Sequence, residues 1–181
     1  MRVITGTARG RRLETLQGND VRPTTDKVKE SLFSIIQFQL EGRHVLDLFA
    51  GSGQLGIEAL SRGARSAVFV DVSRQSVETV KKNLTATGLS PKARVFQRDS
   101  LSYLSGCGEK FDIALLDPPY RQNLLPKALP LLAPHMNPGG IIVCESPAEE
   151  TLPGEAGEFI QYRQYRYGKI KLTTYRHKDM P

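Results

Sequence analysis

The chain contains no tryptophan, only two cysteines and three histidines among its 181 residues, and no apolar run of membrane-spanning length. Each shortage narrows what it can be. Lacking both a long apolar stretch and the charged-then-apolar start of a signal peptide, it is expected to be soluble, intracellular and cytoplasmic, with no membrane partner. Cys107 lies in a glycine-flanked loop and Cys144 in a strand-like run far from it. That spacing offers neither a disulfide framework nor a zinc site, so both read as reduced thiols. His44, His135 and His177 have no acid or cysteine at a diagnostic spacing, which leaves them structural or exposed and the chain without an expected metal. No repeat or low-complexity tract appears. At this length one substantial core is expected, a single domain with a short extension.

Positive charge is in excess and unevenly placed. Residues 1–30 carry seven Lys/Arg against four Asp/Glu, and residues 160–181 six against one, so a formal +6 resolves into +3 and +5 at the ends and −2 between them. Ends that share one face would form an electrostatic footprint for a polyanion. Lys178 and Asp179 read instead as solvated tail charge.

Strand-like runs at residues 45–49, 67–70, 94–97, 111–116 and 141–144 alternate with helical periodicity at 55–62, 74–87 and 124–133, the last disturbed by Pro126 and Pro130. That alternation predicts an α/β fold, a doubly wound and mostly parallel sheet covered on both faces. Residues 160–167 and 169–175, hinged at Gly168, read as a C-terminal antiparallel hairpin. Such an ending marks the methyltransferase variant of the fold rather than the dehydrogenase one. Before the alternation, residues 3–5 and 12–16 are expected to pair across the loop 6–11. A helix over residues 25–39 follows, capped by Thr24 and packed at the sheet edge. The hairpin is too small to fold alone and reads as an appendage, residues 1–22, to a methyltransferase domain at 23–181.

The most informative residues are Asp117, Pro118, Pro119 and Tyr120, which follow the run 111–116 and so stand at the carboxyl end of a strand, where open α/β sheets bind ligands. The Asp117 carboxylate and the Pro118 carbonyl can both accept hydrogen bonds from an NH2 group, and the Tyr120 ring can stack on the base that carries it. Methylation of an exocyclic amine on a nucleobase fits that set.

A second motif supplies the methyl donor's site. Asp47, Phe49, Ala50, Gly51, Ser52 and Gly53, with Gly56 beyond, make a strand end, a glycine-rich turn and a helix start that let backbone N–H groups approach a ligand. The glycines alone fit NAD as well as S-adenosyl-L-methionine. Asp47 favours the latter, since a carboxylate offsets its ammonium and sulfonium charges but would repel a pyrophosphate. Asp71, about twenty positions past the glycines, is placed to accept from ribose hydroxyls. Asp99, with Ser100 beside it, is placed to accept from the adenine amine; for both acids, capping the next helix is the competing role.

With these residues in place the chain resembles the RsmD family of bacterial methyltransferases over nearly its whole length. The resemblance rests on Arg2 to Gly6 with Arg9, Gly10 and Arg11, on Arg22, Pro23 and Thr24 leading into residues 29–36, on residues 46–63, on Asp117 to Tyr120, and on Tyr167 and Gly168. Gln54 departs from it, standing where an apolar or small residue is common. The resemblance implies methylation of the N2 amino group of a guanine in 16S ribosomal RNA, with a partly assembled small subunit as partner; separately, the protein is expected to be a monomer. It also implies that the N-terminal hairpin grips RNA, with Arg9, Arg11 and Arg12 on phosphates and Arg22 nearer the pocket. Three alternatives stay open: an adenine-N6 methyltransferase acting on DNA or another RNA, a non-catalytic assembly factor, and an NAD-dependent reductase.

Overall fold

The computed structural model describes residues 1–16 and 25–180. In chain order the elements are α1 (Asp26–Ile36), β1 (His44–Asp47), α2 (Gln54–Ser61), β2 (Ser66–Asp71), α3 (Arg74–Thr87), β3 (Ala93–Gln97), α4 (Ser100–Ser105), β4 (Phe111–Leu116), α5 (Leu124–Leu132), β5 (Met136–Pro147), β6 (Glu155–Ala156), β7 (Phe159–Tyr167) and β8 (Ile170–His177). The strands form one sheet in the order β3-β2-β1-β4-β5-β8-β7-β6. β3, β2, β1, β4 and β5 run parallel, and β8, β7 and β6 add antiparallel pairs. The doubly wound sheet with its antiparallel ending is thus the one expected.

Strand alternation sorts the core into two layers. Val45, Ile113, Leu115 and Val143 face α1, α2 and α3, whereas Leu46, Leu48, Leu116, Ile142 and Cys144 face α4 and α5. Cys107 and Cys144 are both free thiols, and burial pushes the Cys144 thiol well up. Pro126 falls in the first turn of α5, where its missing N–H costs nothing, so only Pro130 lies inside the helix proper.

Helix α1 departs from expectation in three ways. Its cap is Thr25, whose side chain accepts from the Val28 N–H at 3.3 Å; Thr24 lies outside the described residues. A 3-10 turn, Gln37–Gln39, takes over after Ile36. The helix also packs on the face of the sheet rather than its edge, because Val28, Leu32, Phe33 and Ile36 make a stripe wide enough to join the layer of Val45 and Leu172.

The N-terminal pairing is shorter than predicted and shifted. Arg2 bridges Arg12, Val3 donates to the Arg11 carbonyl, and Leu13 donates to that of Met1. Pairing stops there because Ile4 and Thr5 donate elsewhere, to a buried carboxylate on α2. Val3, Ala8 and Leu13 sink into the same core layer as α1 and α2. Burying Val3 and Leu13 contributes roughly 1.5–3 kcal/mol each. That exceeds what an isolated hairpin has, so residues 1–16 are packed onto the body of the fold.

Candidate active site

The strand order reverses between β1 and β4, and the crevice at that switch point is where this architecture receives ligands. Because Leu115 and Val143 share a layer with Val45 and Phe69, the residues two positions on, Asp117, Glu145, Asp47 and Asp71, project on the same face. Four adjacent strands therefore each carry an acid at or near the carboxyl end, on one side of the sheet.

Asp47 is the most buried of the three that the motifs singled out, at 1% exposure. Its Oδ2 accepts from the Gly56 N–H at 2.9 Å, while Oδ1 is buried with no hydrogen-bond partner among the described residues. Burial pushes its pKa up to about 8; the Gly56 N–H opposes this, and the charges of Asp117 and Asp71 add to it. Between Asp47 and α2 the chain turns through Gly51 (φ 56°) and Gly53 (φ 83°), both left-handed and both suited to glycine. Gly51 donates to Asp71 Oδ2 at 2.9 Å, which ties the turn to the end of β2. The other Asp71 oxygen accepts from Ser73 at 2.9 Å.

The remaining residues predicted for the cofactor site divide. Ala50 and Ser52 are buried in the turn and Phe49 lies half-buried against the α4 and α5 layer. Asp99 is exposed and caps α4, accepting from the Ser102 N–H at 3.0 Å, so the competing role is the one its side chain performs here. The Ser100 hydroxyl turns inward to the Leu48 carbonyl at 3.2 Å, which fixes α4 to the chain leaving β1.

After β4, Asp117 is half-buried, Pro118 buried and Pro119 exposed, and Tyr120 lies half-buried with its hydroxyl donating to Glu145 Oε2 at 3.4 Å. Arg121 (φ 65°) and Asn123 (φ 54°) then sit in the left-handed region, uncommon for side-chain-bearing residues and concentrated in functional loops.

A second polar centre holds the N-terminal segment. Gln54, Glu58 and Ser61 form a buried stripe on α2. Glu58, fully buried, accepts from Ile4 N at 2.8 Å, Thr5 N at 3.0 Å and Arg62 Nε at 2.9 Å, and pairs with Lys29 Nζ at 3.3 Å. Lys29, also fully buried, donates to the Arg2 carbonyl at 3.3 Å; desolvation lowers its pKa and the attraction of Glu58 resists. Ser61 Oγ donates to the Thr5 carbonyl and accepts from Ala8 N. Gly6 packs so closely here that a Cβ would stand 1.8 Å from the Ser61 carbonyl oxygen, which no side chain permits.

On α3, Asn83 accepts from Glu14 N at 2.7 Å and donates to the Ser52 carbonyl at 2.9 Å. One amide thus joins the N-terminal segment to the glycine-rich turn. The sequence pattern gave no role to Lys29, Glu58 or Asn83, although a glutamate and a glutamine inside an otherwise apolar helix were a usable signal. Arg9, Arg11 and Arg12 are exposed on the loop so held, with Arg11 Nη1 reaching the Ala86 carbonyl at 3.4 Å. Arg22 lies outside the described residues.

The profile of the family described as Conserved hypothetical protein 95 matches residues 1–176. Ribosomal RNA small subunit methyltransferase D of Escherichia coli (strain K12) is 34% identical over 180 residues, 98% of this chain and 90% of that one. The chain belongs to the RsmD family. YlbH of Bacillus subtilis (strain 168) is 40% identical over 183 residues, covering 98% of this chain and 100% of its own. The solved structure of yhhF from Escherichia coli covers 99% of both chains with a TM-score of 0.85 at 34% identity. The RsmD-family fold seen here is that of the class I S-adenosylmethionine-dependent methyltransferases.

The pocket of this family member fits a cationic ligand. Burial and the charges of Asp117 and Asp71 disfavour the ionised form of Asp47, one of whose oxygens is buried without a partner among the described residues, and an ammonium or sulfonium beside these acids favours it. The free protein carries a cost for this arrangement. Folded Asp47 keeps its proton up to about pH 8, whereas the unfolded chain releases it near 3.8. The native state binds the extra proton between those values, so stability falls as pH rises through them. Asp47→Asn is expected to raise the thermal midpoint of the ligand-free protein at pH 8, by roughly 2–4 °C per kcal/mol regained, while weakening S-adenosyl-L-methionine binding. Melting curves and calorimetric titration at pH 6 and pH 8 check both; a lower midpoint for the variant would contradict the strained-carboxylate picture.

Proposed function

We propose that the protein transfers a methyl group from S-adenosyl-L-methionine to the exocyclic N2 amino group of a guanine in 16S ribosomal RNA, within a partly assembled small subunit. S-adenosyl-L-methionine is the cofactor, and when bound it supplies a methyl group activated by a positive sulfur. The observation that carries the reading is the placement of Asp117 to Tyr120 beside the glycine-rich turn at the switch point, with a basic N-terminal loop fastened to that turn through Asn83.

The guanine N2 lone pair is delocalised into the ring, so the amine is a poor nucleophile until it pyramidalises. Asp117 and the Pro118 carbonyl accept hydrogen bonds from its two N–H groups, favour that change and aim the lone pair; as the methyl group transfers, Asp117 takes or relays the one proton that departs. Holding the amine in one orientation removes about 7–11 kcal/mol of the barrier. Tyr120 stacks on the unpaired base, a contact worth roughly 1–3 kcal/mol. Asp71 receives the ribose hydroxyls through the lone pairs its backbone donors leave open. Asp99 retains one oxygen, beyond its cap, for the adenine amine.

Arg9, Arg11 and Arg12 meet RNA phosphates. Replacing each with Ala is expected to weaken RNA binding and lower the slope of log affinity against log salt by about 0.7–0.9 per residue, with cofactor affinity preserved. An unchanged slope would leave them as solvated surface.

The substrate class is tested by giving the purified protein methyl-labelled S-adenosyl-L-methionine with unmethylated small subunits, naked 16S RNA or DNA. Subunit RNA is expected to be labelled best. Label in DNA would favour the adenine reading, and no label anywhere would favour an assembly factor.

A further inference from the structure

Glu145 takes no part in the proposed chemistry, yet it occupies the same row as the residues that do. It lies near the carboxyl end of β5, the strand beside β4, and the register pairs Leu116 with Cys144. The next residues along, Asp117 and Glu145, are therefore level neighbours, and alternation turns both to the face on which Asp47 and Asp71 project. Glu145 is a carboxylate at 2% exposure ending an apolar run, Ile141, Ile142, Val143 and Cys144. An acid in such a place is costly to fold, which marks it as a site residue rather than a packing one. The motif itself reaches it: the Tyr120 hydroxyl donates to Glu145 Oε2 at 3.4 Å, longer than the usual range for such a bond.

We infer that Glu145 selects guanine, its carboxylate accepting the N1–H of the base while Asp117 and the Pro118 carbonyl take the adjacent N2 amino group. Guanine presents N1–H and N2–H2 side by side, two donor positions for two neighbouring acidic side chains. Adenine presents at N1 a lone pair, which a carboxylate repels. Asp117 and Pro118 alone accept any exocyclic amine; Glu145 supplies the discrimination they lack. In the free protein the Tyr120 hydroxyl covers Glu145. When a base arrives and the ring turns to stack on it, this long hydrogen bond is given up and N1–H replaces it. The inference rests on the guanine reading above and adds to it the residue that reads the base.

The test uses the full chain and small-subunit RNA in which the mapped target guanine is replaced by 2-aminopurine, which keeps the N2 amine but has an acceptor at N1. Wild-type protein is expected to prefer guanine by about 100-fold in kcat/KM. Glu145→Gln, whose amide can donate to that acceptor, is expected to bring the ratio near one or invert it, with S-adenosyl-L-methionine affinity showing that the variant is folded. Equal turnover of both bases by the wild type overturns the inference and needs no variant. So does a Glu145→Gln protein that loses the same factor on both, since that is the mark of a structural role. Label on adenine in wild-type reactions overturns the guanine reading and this inference together, whereas N2-methylguanine without discrimination overturns this inference alone.

Discussion

Asp117→Ala is expected to lower methyl transfer by about three orders of magnitude, within the range that a positioned proton acceptor supplies. The loss should fall in kcat. S-adenosyl-L-methionine affinity is expected to change little near neutral pH, because losing the Asp117 charge weakens the attraction for a cation but also eases ionisation of Asp47. Asp117→Asn separates two roles of the side chain. An amide oxygen still accepts a hydrogen bond from the amine and orients the base but cannot take a proton away, so the Asn variant should retain far more activity than the Ala variant if orientation dominates. Single-turnover rates with a saturating cofactor give the comparison, and near-normal turnover by Asp117→Ala would remove the residue from the mechanism.

The largest effect on stability is expected at Glu58. Glu58→Ala strands the fully buried Lys29 ammonium and removes the acceptor from Ile4 N, Thr5 N and Arg62 in one step. Breaking a buried pair in this way costs about 3–5 kcal/mol. For a chain of this size that corresponds to a fall of roughly 6–20 °C in the thermal midpoint. Replacing both partners, Lys29→Met with Glu58→Leu, removes the stranded charge but leaves the two backbone donors unmet. The double variant should therefore recover only part of the loss. Because the N-terminal loop hangs on this centre, RNA affinity should drop further than S-adenosyl-L-methionine affinity. Thermal melts and RNA titrations at a temperature where the variant is folded check this, and full recovery by the double variant would contradict the shared-acceptor account.

What the sequence revealed and what it hid have one cause. β4 and α3 begin and end where their patterns do, since a continuous apolar run and a long amphipathic stretch are local signals. The glycine-rich turn and Asp117 to Tyr120 were readable for the same reason, as contiguous chemistry at a strand end. α4 has six residues and β6 two, too few for any period to show. β5 starts at Met136, five residues earlier than predicted, through a Pro-Gly-Gly segment that locally reads as a break; pairing of Met136 with Phe111 carries it across, with a register shift between Phe111 and Ile113. Lys29, Asn83 and Glu145 are hidden because a charged or amide residue in a helix or strand looks solvated until the fold places a neighbour over it; Glu58, set in an otherwise apolar helix, is the readable exception. Asp99 shows the converse: the sequence offered it two roles, and the short helix after it occupies the one that local geometry satisfies.

The most direct measurement is chemical identification of the modified base. Unmethylated small subunits are incubated with the protein and methyl-labelled S-adenosyl-L-methionine, the RNA is digested to nucleosides, and the labelled species is resolved against standards. The expected product is N2-methylguanosine at a single position of the 16S RNA. N6-methyladenosine, or label spread over many nucleotides, would contradict guanine-N2 transfer at this site.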